Sequence, residues 1–151
     1  MTKEITVPAG DKKITQEDLQ EKLMFFQLME KQLETLGQHK SMVDTRLTEI
    51  ETTKSAIREI DELKPENEAL VPLGSGIYTK ARITKKKLLT ELGASVMKEN
   101  DSNTAIAFLD ERKKDIEHAG RQIDEQIADI TKKLQEIGPE LQAMSAQSQQ
   151  G

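Results

Sequence analysis

The chain has 151 residues, 35 % hydrophobic and 32 % charged, with a formal net charge of −5. A globular domain is about 45–50 % apolar, so a thick single core is excluded, and the absence of Cys excludes a disulfide framework, a thiolate zinc site and a Cys nucleophile. No apolar run approaches the roughly 18 residues of a membrane-spanning helix, Met1-Thr2-Lys3-Glu4-Ile5 lacks the apolar centre of a secretory signal, and no basic face of the kind that binds nucleic acid stands out. These features point to the cytoplasm.

Residues 1–13 read as a flexible N-terminal tail. Residues 14–64 contain one Gly, Gly37, and no Pro. Heptad lettering puts Leu19, Phe26, Leu33, Lys40, Leu47 and Lys54 at a, and Met29, Leu36, Val43, Ile50 and Ile57 at d. An unbroken apolar d series predicts a coiled-coil helix rather than a strand or a disordered segment. At about 1.5 Å per residue, such a helix is roughly 75 Å long. Lys64-Pro65 stops it, because Pro cannot continue the hydrogen-bond ladder.

The connecting segment, 65–101, has a different grain. Ala69-Leu70-Val71-Pro72-Leu73 is a short apolar run, and Pro72 restricts it to a sheet edge or bulge. Gly74-Ser75-Gly76 is turn chemistry, after which Ile77, Thr79, Ala81 and Ile83 alternate with Tyr78, Lys80 and Arg82, a period of two. Lys85-Lys86-Lys87 reads as a second turn. Leu88–Leu92 and Ala94–Glu99, flanking Gly93, read as two further strands. The expectation is about four strands in two β-hairpins. Isolated hairpins are marginal in water, so this segment is predicted to be an oligomerisation body, with Leu70, Val71, Leu73, Ile77, Ala81, Ile83, Leu88, Leu92 and Val96 as its contact residues.

Residues 102–144 repeat the heptads, with Ile106, Lys113, Gly120, Ile127, Leu134 and Leu141 at a and Leu109, Ile116, Ile123, Ile130, Ile137 and Met144 at d. Asp101 or Ser102 suits the N-cap. Pro139, after Gly138, either ends this helix or kinks it; the return of Leu141 and Met144 to the seam favours a kink. Residues 145–151 read as a flexible tail. The simplest packing of two such helices is antiparallel, with facing residues whose numbers sum to about 165. The fold class is therefore mainly α: a long antiparallel coiled-coil hairpin with two β-hairpins inserted between its helices.

Three segments of this chain resemble the α class of the prefoldin family. Leu70-Val71-Pro72-Leu73-Gly74-Ser75-Gly76-Ile77-Tyr78-Thr79-Lys80-Ala81 resembles its first-hairpin signature, Leu92-Gly93-Ala94-Ser95-Val96 its second, and Ala105-Ile106-Ala107-Phe108-Leu109-Asp110-Glu111-Arg112 the start of its second helix. The order helix, two hairpins, helix also fits, and the resemblance is closer to archaeal members. It implies a hexamer of two α-class and four β-class subunits whose hairpins join into a body. The coiled coils of such a hexamer hold unfolded client proteins at their tips and pass them to a group II chaperonin without ATP.

The residues point to the tips independently, where apolar side chains overflow the seam. Beside Leu19, Phe26 and Met29 at a and d stand Leu23, Met24, Phe25 and Leu28 at other letters, more than one partner helix can cover. Met is adaptable, and a defined exposed apolar patch marks binding or assembly. The candidate client-binding set is Leu19, Leu23, Met24, Phe25, Phe26, Leu28, Met29, Leu141 and Met144; the blander reading is a helix end packed on a neighbouring subunit or on the chain's own C-terminal turns.

Other features carry little. His39 and His118 fall at wet positions with no third ligand, Gly74-Ser75-Gly76 lacks the Lys-Ser/Thr of a phosphate loop, and no nucleophile–base set converges. An enzyme, a cofactor and a metal are not expected. The alternative function is a scaffold or tether binding one folded protein partner. A coiled-coil regulator of RNA polymerase is disfavoured by the β-rich, lysine-bearing connection.

Overall fold

A computed structural model describes residues 15–149; the predicted tail at 1–13 and the last two residues lie outside them. The element order is α1 (Gln16–Glu62), β1 (Ala69–Gly74), β2 (Ile77–Ala81), β3 (Leu88–Gly93), β4 (Val96–Asn100) and α2 (Ser102–Ser148). This is the expected mainly helical chain with two inserted hairpins. The described residues form two compact units, 15–39 with 123–149, and 40–122.

The first unit pairs the beginning of α1 with the end of α2. Thr15 caps α1: its hydroxyl accepts from the Asp18 amide at 3.1 Å, and the Asp18 carboxylate accepts from the Thr15 amide at 3.1 Å. This reciprocal box satisfies two backbone donors that helical bonding would leave open. Leu36, Ile130 and Met144 are buried; Leu19, Phe26, Met29 and Leu33 on α1 and Ile123, Ile127, Leu134, Ile137 and Leu141 on α2 are half-buried, while Lys22, at the first d position, is exposed. Every other α1 residue in this unit is exposed, so the burial pattern follows the heptads. The antiparallel pairing shows in the cross-helix contacts. Lys22 Nζ donates to Glu140 Oε2 at 2.5 Å, and a Cβ on Gly138 would lie 4.0 Å from the Phe26 ring. Pro139 lies inside α2. The helix therefore does not end at Ile137, and it runs on through Ser148 into residues read as tail. A proline removes one intrahelical donor and frees the carbonyl four residues back; the seam contacts of Leu141 and Met144 hold the following turns in place.

In the second unit, Ile50, Lys54, Ile57, Ala105 and Gly120 are buried, and Val43, Leu47, Ile106, Leu109, Lys113 and Ile116 are half-buried. Two of the lysines in the seam reach carboxylates across it: Lys54 Nζ lies 2.6 Å from Asp110 Oδ1, and Lys113 Nζ lies 2.7 Å from Glu51 Oε1. Each of these pairs, like those of the first unit, has residue numbers that sum to within a few of the expected 165. Asp101 is the N-cap of α2, accepting from the Thr104 amide at 2.7 Å, while Ser102 is the first helical residue and donates its hydroxyl to Asp61 on α1 at 2.6 Å.

The strands form two separate two-stranded antiparallel sheets, β1 with β2 and β3 with β4. The two hairpins are built alike. Gly74 pairs with Ile77 and Gly93 with Val96, each after a register shift. The two loop residues are left-handed in both, with φ of 51° and 79° at Ser75 and Gly76, and 49° and 62° at Ala94 and Ser95. Two successive positive φ values match the right-handed strand twist, as in type I′ turns. Pro72 stands beside the irregularity, where a missing donor is tolerated. Three sequence expectations are corrected. Ala94 and Ser95 belong to the turn, because their positive φ is incompatible with a strand. Asn100 extends β4 by one residue, through its pairing with Leu88. Ile83 lies outside β2, because β1 begins at Ala69, which pairs with Ala81, and offers no partner beyond it.

Candidate functional site

Two exposed apolar surfaces stand out, one in each unit. In the first unit, positions b, c, e, f and g of α1 face solvent, yet four of them carry large apolar groups. Leu23 is 46 % exposed, Met24 71 %, Phe25 42 % and Leu28 59 %. They occupy six consecutive positions, fewer than two turns of helix, and the one helix that packs on α1 here covers the opposite stripe. The arrangement offers a deformable thioether, an aromatic ring and two branched chains side by side, a surface without a shape code.

The other predicted members of this site divide. Leu19, Phe26, Met29 and Leu141 are half-buried in the seam, and Met144 is buried at 7 % exposure. Met144 is thus a seam residue that supports the surface and does not present to it. Its d position carried that signal in the sequence.

The second surface lies on the hairpins. Leu70, Leu73, Ile77, Leu92 and Val96 are all more than half exposed, and Val71 is 40 % exposed. Tyr78, Leu89 and Met97, outside the expected contact set, are also exposed. Ala81, Ile83 and Leu88 are half-buried. Two-stranded sheets leave their outer edges unpaired, and an isolated hairpin is marginal in water.

Charged groups near these surfaces serve the scaffold. The Lys113 ammonium holds the Glu51 carboxyl below its ordinary range, and Glu51 in turn raises Lys113. Lys54 lowers Asp110, Glu111 raises Lys114, and the hydrogen bonds of Thr104 lower the Asp101 cap. Arg112 stacks over the Phe108 ring at 5.3 Å. Among the described residues, no group of three or more His, Cys, Asp or Glu side chains is placed to hold a metal ion, and no helix is long and apolar enough to cross a membrane. His39 and His118 are exposed.

Comparison with known proteins agrees with this geometry. A family model described as "Prefoldin subunit" matches residues 29–147. The chain is 31 % identical to prefoldin subunit alpha of Nitrosopumilus maritimus over 91 % of this chain and 90 % of that protein. It is 27 % identical to prefoldin subunit alpha 1 of Methanocaldococcus jannaschii over 89 % and 92 %. Among solved structures, a chain of filamentous prefoldin from Methanocaldococcus jannaschii superposes with a TM-score of 0.65 at 16 % identity, covering 80 % of this chain and 98 % of that one. The prefoldin beta subunit of Thermococcus strain KS-1 superposes at 0.55 and 21 % identity, covering 86 % and 93 %. These two share the fold, and the matched alpha subunits are archaeal. A heptad-paired helical hairpin, two twin β-hairpins between its arms and matches along most of its length lead to one conclusion: the chain belongs to the prefoldin family, a family of non-enzymatic chaperones, and resembles its archaeal α subunits.

Proposed function

We propose that this subunit is an ATP-independent holdase that captures unfolded proteins at the open end of its coiled coil and delivers them to a group II chaperonin. The observation that carries this reading is the exposed cluster of Leu23, Met24, Phe25 and Leu28. A folded partner would be recognised by a shaped surface with fixed polar groups; an adaptable apolar patch on one helix face suits segments that share only hydrophobicity. Its work is physical. Burying exposed client surface removes it from water and from the self-association that leads to aggregates.

Assembly follows from the other surface. The exposed hairpin faces, with Leu70, Leu73, Ile77, Leu92 and Val96 at their centre, pair with β-class subunits in a complex of two α and four β chains in the cytoplasm. The test uses the complex formed on co-expression with a β-class subunit. Phe25→Ser with Leu28→Ser, with assembly intact by light scattering, is expected to weaken suppression of aggregation of a chemically unfolded client. Suppression at the original level would remove the assignment.

A further inference from the structure

The charge of the chain is distributed unevenly. Residues 40–122 carry fifteen carboxylate and fifteen Lys or Arg side chains, whereas residues 15–39 and 123–149 carry ten carboxylates against four Lys and no Arg. The unit that bears the exposed apolar cluster therefore holds the acidic excess of the described chain, and the unit that bears the hairpins is neutral. Within the acidic unit, Lys22 is paired with Glu140 at 2.5 Å. Glu17 and Glu21 precede the cluster on α1; Glu136 and Glu140 stand on α2 at the same level, as the Lys22–Glu140 contact fixes. All four are exposed.

From this we infer that the surface selects a class of client: unfolded segments in which an apolar stretch is flanked by Lys or Arg. The inference rests on the holdase reading and names the substrate class of that same face. The physical argument is charge complementarity. An apolar patch alone takes any hydrophobic segment, while a rim with an excess of one sign steers segments of the opposite sign to it and disfavours those of its own. Two such rims repel each other, so a second copy of the same face is disfavoured as the occupant, and nucleic acid is disfavoured for the same reason. Exposed charge pairs are individually weak and screened by salt, which suits a client that must be released.

The test compares three synthetic peptides with one apolar centre, flanked by Lys-Lys, Ser-Ser or Glu-Glu. They bind the assembled complex carrying a dye at Gln149→Cys, the single thiol of a chain that has no Cys of its own. The expected order of affinity is Lys above Ser above Glu, about threefold to tenfold between the extremes at low salt. The spread should close in 0.5–1 M salt, roughly the range where the screening length falls to a few ångströms. It should narrow in the variant Glu17→Lys with Glu21→Lys, both at exposed sites, with helix content checked by circular dichroism. Equal affinities for the three peptides overturn the charge selection and leave the holdase reading standing. Affinities that Phe25→Ser with Leu28→Ser fails to weaken, or no binding at all, overturn the holdase reading and this inference with it. Self-association of the complex that grows on lowering the salt would also overturn it, by making a second copy the occupant.

Discussion

Replacing Met24 and Leu28 together by Gln separates the client surface from the seam that supports it. Full burial of such an apolar side chain contributes about 1.5–3 kcal/mol. Met24 is 71 % exposed and Leu28 59 % exposed, so most of that burial is left for a client to complete. The two fractions together amount to roughly 2–4 kcal/mol, an upper figure because capture also orders the client chain. At about 1.4 kcal/mol per factor of ten, this sets a ceiling of roughly thirtyfold to several hundredfold on the fall in client affinity. The same substitution barely touches the fold. Neither residue is at an a or d position, Gln keeps the methylenes that pack along the helix, and Gln is a good helix former, so the unfolding free energy should drop by less than about 1 kcal/mol. The assay is energy transfer from a dye at Gln149→Cys to a labelled unfolded client, which reports the arms of this subunit and not those of its partners; helix content and melting are followed by circular dichroism. An unchanged Kd for a variant with unchanged helix content would refute the reasoning.

Three further outcomes follow from the geometry. Gly37 has nothing within 4 Å of an added Cβ, whereas a Cβ on Gly120 meets Val43 Cγ1 at 3.1 Å. Gly37→Ala should therefore stabilise by about 1 kcal/mol, Gly120→Ala by less than half as much, and Gly120→Leu should cost about 1–3 kcal/mol by overpacking; thermal melts that rank them otherwise would show that the helices do not approach as described. Glu51 and Asp110 have carboxyl pKa values lowered from 4.5 and 3.8 in the folded chain. Their contribution is complete above those values and is lost as pH falls below them through the folded values. The drop in Tm on acidification should be shallower in Glu51→Gln and Asp110→Asn, and a slope identical to the parent would show that the pairs contribute nothing. Ile77→Asp and Val96→Asp, each at a hairpin residue more than half exposed, should abolish the oligomer while leaving most helix content. A full-sized complex by light scattering would remove the hairpins from assembly.

The heptad register was legible because it is a local property: the apolar a and d residues from Leu19 to Met144 are all buried or half-buried. The cap at Asp101 and the two hairpins rest on equally local chemistry; the Thr15 cap came only with the structure. The end of β2 was not legible, because Ile83 continues the period of two but lacks a cross-strand partner, and partners are a matter of pairing. Composition alone could not show that Met24 and Met144 differ, one exposed and one buried; their heptad letters, f and d, separate them, and the packing of α2 on α1 bears that out. The polar seam positions carry the same lesson. A lysine at a reads as a defect in one helix, and the register of two helices turns Lys54 and Lys113 into partners of Asp110 and Glu51. Two amphipathic helices, two hairpins and an apolar surplus near residue 25 follow from local patterns alone, because periodicity and turn chemistry act over a few residues. The tertiary structure decided which of those apolar groups stay in water, because that depends on how much of each helix a single partner can cover.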